Sequence, residues 1–140
     1  MNDFKEMPSP EQIKEKLKPL FNEEGLQLVL LFGSVATGKQ HKRSDIDLGF
    51  LFDRPIDVLS LTNRVITLLH TDDLDVVDLG RASPLLKFSA AKHGKLLYER
   101  SPGLFHDFLS LAFRMYSDTK KLRVARDQAI RDFLEEKGFQ

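Results

Sequence analysis

The chain has 140 residues, with 21 Lys and Arg balanced by 21 Asp and Glu, and no cysteine. That length predicts one domain, and zero formal net charge excludes a nucleic-acid binder working by general electrostatic attraction, which carries a clear basic excess. The missing cysteines exclude disulfides and thiolate metal sites and fit a reducing cytoplasm, while the longest apolar run, Leu28 to Phe32, falls far short of the roughly 20 residues of a membrane span, so a soluble protein is expected.

Residues 1–9 are polar, contain Pro8 and Ser9, and read as a loose leader to a single domain over 10–140. From Pro10 to about Glu24, Ile13, Leu17, Leu20 and Phe21 recur at helical spacing, closed by Gly25, with Pro19 placed to kink or interrupt the helix. Leu26 to Phe32 is short, apolar and bounded by glycines, which predicts an inner strand buried on both faces. Asp45 to Phe52 alternates: Ile46, Leu48, Phe50 and Phe52 point one way, Asp45, Asp47 and Gly49 the other. A helix follows over about Ile56 to His70, then a strand-like run Leu74 to Leu79, a short helix from Ser83 to Lys92, a turn at Gly94 and an edge strand from Lys95 to Glu99.

The last third, about 102–138, is helical. Phe105, Phe108, Leu109, Ala112, Phe113 and Tyr116 form an apolar stripe expected in the core, and beyond Asp118 a highly charged helix either continues or restarts. That charged segment reads first as a solvated face and second as part of a partner interface. The fold class expected is α+β, a small mixed sheet covered on one face by helices, with a core over about 26–99.

Three devices converge between residues 33 and 47. Gly33 and Ser34 leave a buried strand and open a turn whose backbone N–H groups and hydroxyl suit phosphate oxygens. Asp45 and Asp47 stand two apart on a strand, so both carboxylates project from one face and suit hard divalent cations such as Mg²⁺. Lys39, Lys42 and Arg43 set positive charge between them. Each device alone is commonplace, a turn or a solvated strand face; their conjunction beside an apolar alternate face points to a site. A third carboxylate would come from Leu74–Leu79, where Asp75 and Asp78 lie on opposite faces, so at most one of them joins the pair. His41 reads as an exposed loop residue, and His70, His93 and His106, lacking metal-ligand spacing, as surface or helix-end residues.

Gly33-Ser34, ten intervening residues and Asp45-Ile46-Asp47 resemble the signature of the nucleotidyltransferase superfamily related to DNA polymerase β, and the length resembles its minimal stand-alone members. The likeness runs over roughly Leu26 to Glu99. It implies that Gly33 and Ser34 bind triphosphate and that Asp45, Asp47 and a third carboxylate hold two Mg²⁺ ions. Asp75 matches that third position better than Asp78, because Asp75-Val76-Val77 begins a hydrophobic segment as the family's third position does. Where related sequences carry a basic loop residue this chain has Thr37, which shifts phosphate contacts to Lys39 or Arg43. Minimal members are typically encoded with HEPN-domain ribonuclease toxins, so the resemblance further implies an antitoxin that transfers AMP from ATP to a toxin tyrosine. Two alternatives stand beside it: an antitoxin that only occludes its partner, and nucleotidyl transfer to a small molecule, for which the chain has little room beyond the core.

Overall fold

The computed structural model describes residues 8–32 and 46–138. Helix α1 (Pro10–Leu17) starts on a capping box, in which the Ser9 hydroxyl accepts from the Gln12 N–H at 3.1 Å while the Gln12 side chain accepts from the Ser9 N–H at 2.8 Å. It ends where the sequence placed an interruption, because Pro19 offers no N–H to continue the helical ladder, and the Lys18 N–H takes the Glu15 carbonyl instead. Lys18–Asn22 continue as a 3₁₀ turn.

Four strands follow, β1 (Leu26–Phe32), β2 (Ile46–Phe52), β3 (Leu74–Asp78) and β4 (Lys95–Glu99), in the order β3-β2-β1-β4. β1 is antiparallel to both of its neighbours, and β2 pairs with β3 in parallel. A parallel pair needs a crossover, here α2 (Val58–Leu69). Asp57 caps it through Ser60 N at 3.2 Å, and His70 closes it at φ 59°, in agreement with the helix-end reading of that histidine.

The alternation seen in the sequence sorts side chains between two faces. On one, Val29, Leu31, Ile46, Leu48, Phe50 and Leu74 pack against Ile13, Leu17, Leu61, Val65 and Leu69 of α1 and α2. On the other, Leu30 and Leu79 meet Ala90 of α3 (Pro84–His93) together with Phe105 and Phe108 of α4 (Leu104–Glu136). The mixed sheet and the terminal helix are thus as expected, but helices cover part of the second face as well as the whole of the first. The reason lies in β1: Val29, Leu30 and Leu31 are all fully buried, and a strand apolar on both sides must be covered on both.

Helix α4 is continuous for 33 residues. Its apolar stripe is core only in part: Ala112 is buried, whereas Phe113 is 55 % exposed and lies at 5.5 Å from the ring of Phe88, which also stacks on Tyr116 at 4.9 Å. The stripe is wider than the surface that α3 and the sheet offer it. Among the described residues no helix is long and apolar enough to cross a membrane.

The turn into β1 is fastened to the end of β2. Asp53 N–H donates to the Gly25 carbonyl at 2.8 Å, and Arg54 Nε donates to Asp53 Oδ1 at 2.7 Å. Gly25 sits at φ +87°, and a Cβ there would lie 2.6 Å from Arg54 Nε and 2.7 Å from Asp53 Oδ1. Gly25→Ala is therefore expected to destabilise the domain by about 1–2 kcal/mol, the cost of a left-handed backbone at a residue with a Cβ, as read from urea unfolding. The Arg54 hydrogen bond also holds the Asp53 carboxyl below its ordinary value of 3.8. Folding thus favours the charged form, a contribution complete above that ordinary value and lost as pH falls through the lowered one. Across a pH series, the stability difference between the parent and Asp53→Asn should stay constant near neutrality and shrink below about pH 4.

Candidate active site

The three strands β1, β2 and β3 bring Phe32, Asp47 and Asp75 into one row at one end of the sheet: Phe32 is the register partner of Asp47, and Asp47 of Asp75. Partners in a parallel pair project from the same face, and neighbouring strands lie about 4.8 Å apart, so the two carboxylates stand side by side. They share the second face with Gly49, Val77 and Leu79, where α3 and α4 pack chiefly against β1 and leave the Asp75 edge to solvent. Asp47 is 9 % exposed, whereas Asp75, on the edge strand, is exposed.

Asp78 goes elsewhere. It is the register partner of Phe50, whose side chain lies in the first-face core, so Asp78 projects away from Asp47 and Asp75. Its carboxylate accepts the Gly80 N–H at 3.0 Å and shapes the turn that ends β3. Of the two candidates in this run, Asp75 alone is brought beside Asp47.

The remaining members of the expected site, Gly33, Ser34, Lys39, Arg43 and Asp45, lie outside the described residues, as do His41 and Lys42. The chain leaves β1 at Phe32 and re-enters the sheet at Ile46, both at the end that carries Asp47 and Asp75. Among the described residues no group of three His, Cys, Asp or Glu is placed to hold a metal ion. Two carboxylates on adjacent strands, one of them largely withdrawn from water, nevertheless form an all-oxygen donor pair of the kind Mg²⁺ takes, since holding two like charges so close favours a cation between them.

One feature of this end has no signal in the sequence. The α3–β4 turn packs directly on β1: a Cβ on Gly94 would lie 2.3 Å from the Ala90 carbonyl and 3.2 Å from that of Leu31, one residue before Phe32. The close approach brings the exposed Lys92 and His93 to the carboxylate end of the sheet. The docking of this turn on β1 is something residue spacing does not reveal.

Comparison with known proteins agrees with this geometry. The family model for polymerase beta nucleotidyltransferases matches residues 15–103. A protein adenylyltransferase MntA from Shewanella oneidensis is 33 % identical over 112 residues, covering 78 % of this chain and 77 % of that one, and its counterpart from Aphanizomenon flos-aquae is 28 % identical over 125 residues, covering 81 % and 83 %. Among solved structures, a toxin–antitoxin crystal structure with AMP-PNP superimposes with a TM-score of 0.68 at 30 % identity, covering 91 % of this chain and 99 % of the other. A second, of a tri-AMPylated Shewanella oneidensis HEPN toxin in complex with an MNT antitoxin, gives 0.66 at 26 % identity, covering 89 % and 98 %. With a family match over more than half its length and carboxylates in register on its central and edge strands, the chain belongs to the polymerase beta nucleotidyltransferase family.

Proposed function

We propose that this protein is a Mg²⁺-dependent adenylyltransferase that moves AMP from ATP to a tyrosine hydroxyl of a HEPN-domain ribonuclease toxin and acts in the cytoplasm as its antitoxin. The observation that carries the reading is the pairing of Asp47 with Asp75 on one face, at the end of the sheet where β1 gives way to Gly33 and Ser34. The named activities of the two MntA relatives, and neighbours crystallised with AMP-PNP or with an AMPylated toxin, support the choice of nucleotide and acceptor.

In this reading Asp45, Asp47 and Asp75 hold the divalent ions. Once bound, these ions neutralise the triphosphate and make the acceptor hydroxyl more acidic. The Gly33 and Ser34 N–H groups and the Ser34 hydroxyl orient the triphosphate, while Lys39 and Arg43 offset its charge. The acceptor oxygen attacks the α-phosphorus in line. A new O–P bond forms as the bond from the α-phosphorus to the bridging oxygen breaks, and pyrophosphate departs with that electron pair. Asp75, exposed at the sheet edge, is the carboxylate that an incoming tyrosine reaches, and it takes the proton from the hydroxyl.

Asp47→Asn and Asp75→Asn are each expected to lower transfer from labelled ATP by at least about 100-fold without loss of fold, whereas Asp78→Asn, which keeps an oxygen for the Gly80 N–H, should stay within a few-fold of the parent. Equal activity in the Asp75 and Asp78 variants would remove Asp75 from the site. The intact mass of a co-expressed HEPN partner separates transfer from occlusion: AMP increments are expected with the parent chain and should vanish with Asp47→Asn. A partner inhibited but unmodified by the parent chain would leave binding alone as the function.

A further inference from the structure

The last part of α4 stands clear of the domain. Every residue from Val124 to Gly138 is exposed, and among the described residues its side-chain contacts are internal: Gln128 donates to Asp132 at 2.9 Å and the Lys137 ammonium sits 5.6 Å from the centre of the Phe133 ring. A solitary helix of that length is marginal in water and gains its stability by burying a face. The arm carries such a face. Leu122, Ala129, Ile130, Phe133 and Leu134 fall at i, i+7, i+8, i+11 and i+12, and Leu122, Ile130 and Phe133 are 71 %, 49 % and 54 % exposed.

The charges beside this face are segregated along the helix. Residues 119–126 hold Lys120, Lys121, Arg123 and Arg126 with no acidic residue, while residues 127–136 hold Asp127, Asp132, Glu135 and Glu136 against Arg131 alone. A parallel copy would set cations on cations and anions on anions. An antiparallel copy sets the basic stretch of one arm along the acidic stretch of the other, twice over, and the two-fold axis between them makes the contact closed. We infer that the α4 arm is a self-association surface, whose occupant is the arm of a second copy of this chain packed antiparallel through Leu122, Ile130 and Phe133. This inference is independent of the transferase reading, because it uses no residue of the candidate site.

Two arms of this length form a contact at the small end of the stable range, so association should appear only at tens of micromolar and above. Sedimentation of the full chain alone, from about 5 to 200 µM in low salt, is expected to show a monomer passing to a dimer and to shift toward monomer as salt rises. Leu122→Glu with Phe133→Glu should abolish the dimer while leaving the thermal transition of the domain unchanged. A basic-to-acidic variant (Lys120→Glu, Lys121→Glu, Arg123→Glu) and an acidic-to-basic variant (Asp132→Lys, Glu135→Lys, Glu136→Lys) should each be monomeric and should recover a one-to-one heterodimer on mixing. A chain monomeric throughout the range, a dimer insensitive to the double substitution, or charge variants that fail to pair on mixing would each overturn the inference. So would a monomeric chain whose arm variants instead lose binding to a HEPN-domain protein.

Discussion

Parallel pairing of β2 with β3 sets Leu48 beside Val76 and Ile46 beside Leu74, which puts their apolar partners under α1 and α2. Because side chains alternate along a strand, the same register puts Asp47 beside Asp75 on the opposite face. A slip of one residue would drive Asp75 toward the core and bring Val76 or Leu74 out beside Asp47, so the hydrophobic core and the carboxylate pair are specified by one choice. Core packing on one side of the sheet therefore fixes the electrostatics of the other.

The two faces are covered unequally. α1 and α2 close the first face, where Ile13, Leu17 and Val65 are fully buried. α3 and the start of α4 close the second chiefly over β1 and β4, and the β3 edge carries the exposed carboxylate. A large acceptor such as a folded protein needs that kind of opening, since its hydroxyl must approach from the edge rather than enter a closed pocket. The tight turn at Gly94 closes onto β1 at the same end.

Helix α4 combines two roles along one axis. Its first half completes the core through Phe105, Phe108 and Ala112 and stacks Tyr116 on Phe88. Its second half presents a similar periodicity of apolar residues to solvent, with charge sorted by sign. Periodicity alone makes no distinction between these halves, because an amphipathic stripe states that a face will be buried and not by what.

The strands were legible in residue order because their signals are local. The unbroken run Leu26–Phe32 and the alternation from Ile46 to Phe52 follow from the pleat itself, and the helix stop near Pro19 from a missing donor. The Gly33-Ser34 and Asp45-x-Asp47 motif was equally plain, since such spacing is a property of one segment. For Asp75 and Asp78, alternation said that they oppose one another and the family likeness favoured Asp75, and the register of β3 against β2 sets Asp75 beside Asp47. The covering of the second face, the partial burial of the Phe105–Tyr116 stripe and the docking of the Gly94 turn on β1 were likewise decided in three dimensions. Each depends on which surfaces meet across long stretches of chain, and the periodicity of a single segment carries no record of its neighbour.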